Sequence, residues 1–500
     1  MKITLVQTPW SDSSHREFKG IAKRYALYPP LGLMHLAAAV ENAGHSADIF
    51  DLEVESVRFE EICRRITESE SDIIGITATS PVFHLAKTYA VAFREKLGLP
   101  IIIGGPHTTV LGQKAFSPEF DYAVIQEGEK TLVELLDTLE SDGDLQEVQG
   151  LLYWDSDNII ATPPRPFIQN LDELLIPARH KVDPSNYIFE VPEKGVIPVG
   201  TVELTRGCPF KCVFCSEPAN TGRGLRKRSP KSVVDEMLLV KENHGISHFF
   251  LLDSTLTLNR RLIEGFCEEL ILREANMTWE GQTRANLVDE ELLLLMKRAG
   301  LVRLSFGVES ADEEVLRLMR KEVSIESMRN AFQLCRKLGI YTMCGTMIGN
   351  PGETKETVMH TAKVIRSIPE IRYASLGIAI PYPGTELYNM AAAGMHGLKL
   401  LTTDFTMYSR YAGGVMEING MKPAELIRLQ RRALISTHMT LSKFIGLVQH
   451  FGLRNILSAG FKMLRNELIV LFGGTEPVLL RSVAESNTTL RGLGLTYSGD

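Results

Sequence analysis

The stretch RGCPFKCVFCSEP, Arg206–Pro218, decides the reading of this chain. It sets Cys208, Cys212 and Cys215 at a C-x3-C-x2-C spacing within one short loop. Three thiolates so spaced can face a single metal centre. A structural zinc site takes four ligands, and no C-x2-C partner occurs elsewhere among the seven cysteines. Cys63, Cys267, Cys335 and Cys344 stand singly in helix or strand patterns and read as small core hydrophobes. A four-iron cubane held by three thiolates keeps one iron open. A small molecule would then supply the missing ligand.

Around this loop the pattern alternates between strand and helix. Strands are predicted at Val202–Thr205, Phe249–Asp253, Thr278–Thr283, Leu301–Phe306, Tyr341–Met347 and Tyr373–Ile380. Helices fill the gaps at Ser232–Asn243, Asn259–Ala275, Asp289–Ala299, Ser324–Lys337 and Lys355–Ser367. Together they predict a partial (β/α)6 barrel over residues 197–400, open on one side.

Upstream, residues 1–150 predict a separate α/β domain with a doubly wound, Rossmann-like parallel sheet. Its strands are expected at Ile3–Gln7, Ala47–Leu52, Ile73–Thr77, Pro100–Ile103 and Tyr122–Ile125. Polar loops follow the last three, and open α/β sheets bind ligands at the carboxyl ends of their strands. Residues 151–196 read as a linker, with a hairpin strand at Leu151–Trp154 and the Pro-rich ATPPRPF at Ala161–Phe167. Residues 401–500 read as a helical region. Pro423–Thr440 looks amphipathic, and Leu441–Phe472 mixes apolar with basic residues.

Composition is that of a globular protein, 44% hydrophobic and 23% charged. A formal net charge of −7 gives no electrostatic case for nucleic acid as a partner. The basic run RGLRKRSPK, Arg223–Lys231, reads as a solvated loop or as a phosphate or carboxylate contact. The amino terminus MKITLVQTPW reads as a buried strand and not as a signal peptide. An odd cysteine count without such a peptide points to the reducing cytoplasm. No run of apolar residues is long enough to span a bilayer.

A C-x3-C-x2-C loop just after the first strand of a βα barrel resembles the radical S-adenosylmethionine superfamily. The resemblance implies a 4Fe–4S cluster on Cys208, Cys212 and Cys215, with S-adenosylmethionine chelating the open iron. It places Phe214 beside the adenine and Asp253 near the methionine amino group; Ser254 departs from the aspartate pair common there. Ser305 and Glu309, in LSFGVES, are similar to residues that contact the ribose and methionine. Gly349 and Pro351, in GTMIGNPGET, resemble the turn that approaches the adenine. The chemistry implied is reductive cleavage of the sulfonium to a 5′-deoxyadenosyl radical, with an electron donor such as flavodoxin or ferredoxin.

The first domain, with YPPLGLMHLAAAVENAGH (Tyr28–His45), IGITATSP (Ile74–Pro81), IIIGGPHTT (Ile101–Thr109) and VIQEGEKT (Val124–Thr131), resembles the cobalamin-binding branch of that superfamily. The resemblance covers residues 1–390 with the barrel. It implies a corrin held by Thr77, Thr79 and Ser80, by Gly104, Gly105 and His107, and by Gly128 and Glu129. The Asp-x-His-x-x-Gly motif that supplies a histidine beneath cobalt is absent. His107 reads either as a ligand or corrin contact, or as a loop residue bonded to backbone.

Three functions stand open. The first is methylation of an unactivated carbon of a small-molecule or lipid-like substrate through methylcobalamin. The second is cyclisation, rearrangement or oxygen insertion without methyl transfer, as in tetrapyrrole cyclases. The third is a non-catalytic zinc module. Tyr382, Tyr388, Phe405, Tyr408 and Tyr411 are candidate pocket-lining aromatics, or ordinary core. Leu441–Leu471 reads as packing on the barrel's open edge, as a cap over the substrate, or as an interfacial helix making peripheral membrane contact. No residue identifies itself as a catalytic acid or base.

Overall fold

The computed structural model describes residues 1–9, 28–55, 58–408, 414–441, 443–445 and 448. Tyr411 and nearly all of Leu441–Phe472 lie outside the described residues.

The first sheet holds β1 (Lys2–Gln7), β2 (Ser46–Asp51), β3 (Ile73–Thr77), β4 (Ile101–Gly104), β5 (Tyr122–Val124), β6 (Leu151–Asp155) and β7 (Asn158–Ala161). Their spatial order is β2-β1-β3-β4-β5-β6-β7. β1 to β5 are parallel, and the direction of winding reverses between β1 and β3. Short apolar runs such as IIGIT form strands buried on both faces, as parallel sheets require. One face packs under the helices Phe59–Glu68 and Phe83–Leu97, the other under Leu31–Asn42 and Gly128–Glu140.

β6 and β7 correct the expected boundary at residue 150. The hairpin adds antiparallel to β5, so the sheet runs to Ala161. Tyr153 opposite Tyr122 and Leu152 opposite Ala123 put apolar side chains on that new edge, and Trp154 Nε1 donates to Phe120 O.

A hairpin of β8 (Ile188–Val191) and β9 (Gly195–Pro198) leads into the second unit. Its sheet contains β10 (Gly200–Val202), then, after the small antiparallel pair β11 (Thr205–Arg206) and β12 (Arg226–Lys227), β13 (His248–Leu251), β14 (Thr278–Thr283), β15 (Leu301–Glu309), β16 (Tyr341–Ile348) and β17 (Ala374–Ile378). All six strands are parallel and ordered along the chain. On β15, buried Leu304 and Phe306 face the helical layer, while half-buried Ser305, Gly307 and Glu309 face the concave side.

The amino-terminal end of the barrel is closed. His248 Nε2 and Arg303 Nη2 meet Glu280 Oε1 at 3.0 and 2.8 Å, all three side chains being buried. Tyr28 stacks there on Phe189 and Phe250, with ring centroids 5.2 and 4.9 Å away.

Residues 401–500 were expected to be helical, but they also contain a strand. β18 (Leu398–Leu400) pairs antiparallel with β19 (Met416–Ile418). The helix Pro423–His438 then lies against β17 and the helix Lys355–Ser367. It covers the free edge of β17, where Gln430 Nε2 donates to Leu376 O and His438 Nε2 accepts from Ala374 N. Unpaired edge groups of a sheet require such partners.

Candidate active site

The cysteine loop leaves β11 at Gly207, whose φ of 90° and crowding make glycine necessary. A Cβ there would fall 2.2 Å from Gly224 O. Cys208 N donates to Gly222 O, and Val213 N donates to Met319 O. The loop is thereby held from both sides. All three cysteines are free thiols, Cys208 buried and the other two half-buried. Burial pushes the Cys215 thiol up to about 11, and proximity to Cys212 and Cys208 adds to the shift. No three His, Cys, Asp or Glu side chains among the described residues gather to hold a lone metal ion. Three thiols on one loop are the donor chemistry of a cluster held by three thiolates. The four remaining cysteines are buried, as expected of core residues.

Around the loop stand Phe214, Glu309, Lys321, Phe210 and Arg284. Lys321 Nζ lies 3.2 Å from Glu309 Oε1 and 5.9 Å from the Phe214 ring centre. Glu309 has φ 63°, a left-handed conformation that turns it back over Gly307. Arg284 Nη1 lies 3.5 Å from Cys212 Sγ, with its guanidinium 3.8 Å from the Phe210 ring centre. The sequence reading missed Lys321 and Arg284. The one signal for Arg284 was its position directly after Thr283, the last residue of β14. Ser305 shares a sheet row with Gln282 and Met343 on the concave side.

Asp253 is not free for a ligand. It is 1% exposed, its Oδ2 accepts from Leu204 N, and its Oδ1 accepts from Thr205 Oγ1 at 2.5 Å. It ties the end of β13 to the approach of the cysteine loop. Burial pushes its carboxyl up to about 6 against the pull of those hydrogen bonds. Gly349 and Pro351 are buried in the turn after β16. The turn is closed by Glu353, whose Oε2 accepts from Gly349 N at 2.5 Å and Asn350 N at 3.0 Å. Burial raises the Glu353 carboxyl to about 7.

In the first sheet, the loops after β3 and β4 meet at the carboxyl edge. Gly105, with φ 94°, lets Thr77 approach: a Cβ would fall 2.4 Å from Thr77 Oγ1. Thr79 is exposed, and Gly104 and Ser80 are half-buried. These small residues fit the edge of a flat ligand at the carboxyl ends of β3 and β4, next to the point where winding reverses.

His107 is bonded internally. Its Nδ1 meets Ser80 Oγ at 2.9 Å, and its ring lies 4.1 Å from Phe83 and 5.0 Å from Phe405. Burial lowers its pKa to about 4, so it is neutral. The hydrogen-bond partner is a side chain, not backbone as expected.

Gly128 and Glu129 do not face the same place. Gly128 makes room for Leu36, whose Cδ2 would lie 3.0 Å from an added Cβ. Glu129 Oε1 accepts from Arg206 Nη1 at 2.8 Å, and Glu127 accepts from both Arg206 and Arg226. The basic run is thus split. Arg226 and Arg228 are buried in ion pairs with Glu127 and Glu236, while Arg223 and Lys227 are exposed.

The two units are locked together at further points. The helix Pro106–Leu111 packs on the helix Glu217–Thr221, which begins two residues after Cys215. Phe405, Tyr408 and Tyr382 stack in series on His107, and the turn Phe405–Met407 lies on Ser80–Val82. Tyr408 is fully buried. Phe405, Tyr408 and Tyr382 thus form a clamp between the units, and Tyr388 is half-buried.

Comparison with known proteins agrees with this division. Residues 202–365 match the Radical SAM superfamily, and residues 19–136 match the B12 binding domain. The chain is 32% identical to the uncharacterized methyltransferase PH0819 of Pyrococcus horikoshii, over 88% of this chain and 93% of that protein. It is 33% identical to the anaerobic magnesium-protoporphyrin IX monomethyl ester cyclase of Cereibacter sphaeroides, over 72% of this chain and 60% of that protein. The fold is similar to that of the radical S-adenosylmethionine methyltransferase TsrM from Kitasatospora setae, solved with cobalamin and a 4Fe–4S cluster. The TM-score is 0.68 at 19% identity, covering 87% of this chain and 88% of that one. With a cysteine loop at the mouth of a six-stranded half-barrel and a doubly wound domain clamped over it, the chain belongs to the cobalamin-binding radical S-adenosylmethionine enzymes.

Proposed function

We propose that this enzyme methylates an unactivated carbon of a small-molecule or lipid-like substrate. The observation that carries the reading is the contact between the helix after β4 and the helix after Cys215. It would bring the candidate corrin edge beside the candidate cluster loop. Together, cobalamin, S-adenosylmethionine and the cluster supply methyl transfer and hydrogen abstraction when bound.

The chain's own residues bind, orient and exclude. Cys208, Cys212 and Cys215 would hold the cluster. Phe214, Ser305 and the Glu309–Lys321 pair would meet S-adenosylmethionine on the concave side, above the turn that Glu353 closes. Thr77, Thr79, Ser80 and Gly104 would border the corrin. The buried Glu280 network and the Tyr28 stack keep water from entering at the amino-terminal end. No described helix is long and apolar enough to cross a membrane. Four buried lone thiols suit a reducing cytoplasm, where a flavodoxin or ferredoxin would supply electrons.

The relative from Pyrococcus horikoshii carries the name methyltransferase, which favours this reading. The similar identity to a cyclase keeps ring formation without methyl transfer as the second. The test is anaerobic reconstitution with hydroxocobalamin, reductant and methyl-labelled S-adenosylmethionine. Label in the protein-bound corrin supports methylation. Bound corrin without label favours the cyclase class. Absence of bound corrin defeats the assignment of the first domain.

A further inference from the structure

A guanidinium taken out of water needs an anion beside it, since an uncompensated buried charge costs several kcal/mol. Among the described residues, Arg179 and Arg228 share Glu236, Arg226 reaches Glu127, and Arg303 reaches Glu280. Arg284 is equally buried, at 4% exposed, and has no carboxylate partner among the described residues. Its Nη2 donates to the Lys321 carbonyl, and its plane lies over Phe210. Its Nε has no partner, and its Nη1 points at Cys212 Sγ from 3.5 Å.

We propose that Arg284 is the counter-cation of the iron–sulfur cluster and raises its reduction potential. The inference rests on the cluster reading above. A cation and an N–H donor at a cluster thiolate stabilise the more negative, reduced state over the oxidised one, because hydrogen bonds to sulfur and net charge set such potentials. The position is built in: Arg284 leaves the carboxyl end of β14, and Phe210 and the Lys321 carbonyl fix its plane. Glu309 cannot neutralise it, because Lys321 already holds that carboxylate.

The test uses the full chain, reconstituted anaerobically, as wild type, Arg284→Gln and Arg284→Lys. Iron and sulfide are counted, and the reduced cluster is followed by paramagnetic resonance in a potential titration without S-adenosylmethionine. A wild type that holds no cluster defeats the earlier reading and this inference with it, whereas a bound cluster whose potential ignores Arg284 defeats this inference alone. In Arg284→Gln the reduced-to-oxidised ratio at fixed potential is expected to fall about tenfold, which is 59 mV for one electron. Arg284→Lys, which keeps the charge, is expected within about twofold of wild type.

An unchanged potential in Arg284→Gln overturns the proposal. If that unchanged potential comes with weaker binding of S-adenosylmethionine, the missing anion is the ligand's carboxylate instead. Should Arg284→Gln assemble no cluster, the lysine variant decides. A wild-type potential there supports the proposal. Loss of the cluster there too overturns it in favour of a purely structural bond to Lys321.

Discussion

Arg206 Nη1 lies 2.8 Å from Glu129 Oε1 and 3.1 Å from Glu127 Oε1, joining the first sheet's last parallel loop to the residue two before Cys208. Glu203 is a third carboxylate on the same guanidinium, through Nε at 2.8 Å. The four side chains are each no more than 15% exposed. Replacing Arg206 with Met would take the arginine from Glu129 and Glu203 and leave Glu127 to Arg226 alone. We predict a loss of roughly 3–5 kcal/mol, the usual cost of breaking a buried pair. Denaturant unfolding of the full chain measures it, and a loss under about 1 kcal/mol would mark the network as no stronger than a surface pair.

Cys212→Ala should lose both the cluster's visible absorption and cleavage of S-adenosylmethionine, because two thiolates cannot hold the cubane in place. The readouts are iron content and 5′-deoxyadenosine formation. Wild-type formation by this variant would refute the cluster assignment.

His107→Gln should leave the spectrum of bound cobalamin unchanged, since the ring is bonded to Ser80 and packed between Phe83 and Phe405. Stability should fall by about 1 kcal/mol or more through lost packing. A shifted corrin spectrum would instead make the histidine a cobalt ligand.

Gly105→Ala combines a φ of 94° with a Cβ 2.4 Å from Thr77 Oγ1. The left-handed backbone alone costs an alanine roughly 1–2 kcal/mol. We expect retained cluster content with weakened cobalamin retention, scored by gel filtration of the reconstituted protein. Unaltered retention would separate this turn from the corrin.

Glu353 adds a pH dependence. Its carboxyl is raised by burial from 4.5 to about 7. Below the lower value both folded and unfolded states hold the proton, and the stabilising contribution is complete. As pH rises toward 7 the unfolded chain ionises first, and stability falls by up to roughly 3 kcal/mol. Glu353→Gln should flatten the melting temperature between pH 4.5 and 7. A profile as steep as wild type would assign that dependence to another group.

Much of the scaffold was legible in the residues. Ile73–Thr77, Thr278–Thr283 and Lys355–Ser367 fall where hydrophobic period and bounding turns put them. The cysteine spacing identified its loop because all three residues are local. What was not legible depends on contacts between distant segments. Asp253 follows β13 and Glu129 opens the helix after β5, places where ligand contacts occur, yet each is taken by the cysteine loop's own approach. The β6–β7 hairpin looked like a connector because nothing local shows which edge it joins. Arg284 looked like any arginine, and only the absence of a carboxylate around it gives it meaning.

The acidic pair Glu127 and Glu129 also restricts modular exchange. The first unit brings two carboxylates to the joint, and the barrel brings Arg206 and Arg226 to receive them. A corrin-carrying unit transplanted from another relative would have to bring matching acids in that loop. Without them, Arg226 would lose its carboxylate and Arg206 would keep only Glu203, so chimeras are best cut downstream of Arg226, leaving the first unit, the cysteine loop and both arginines from one parent.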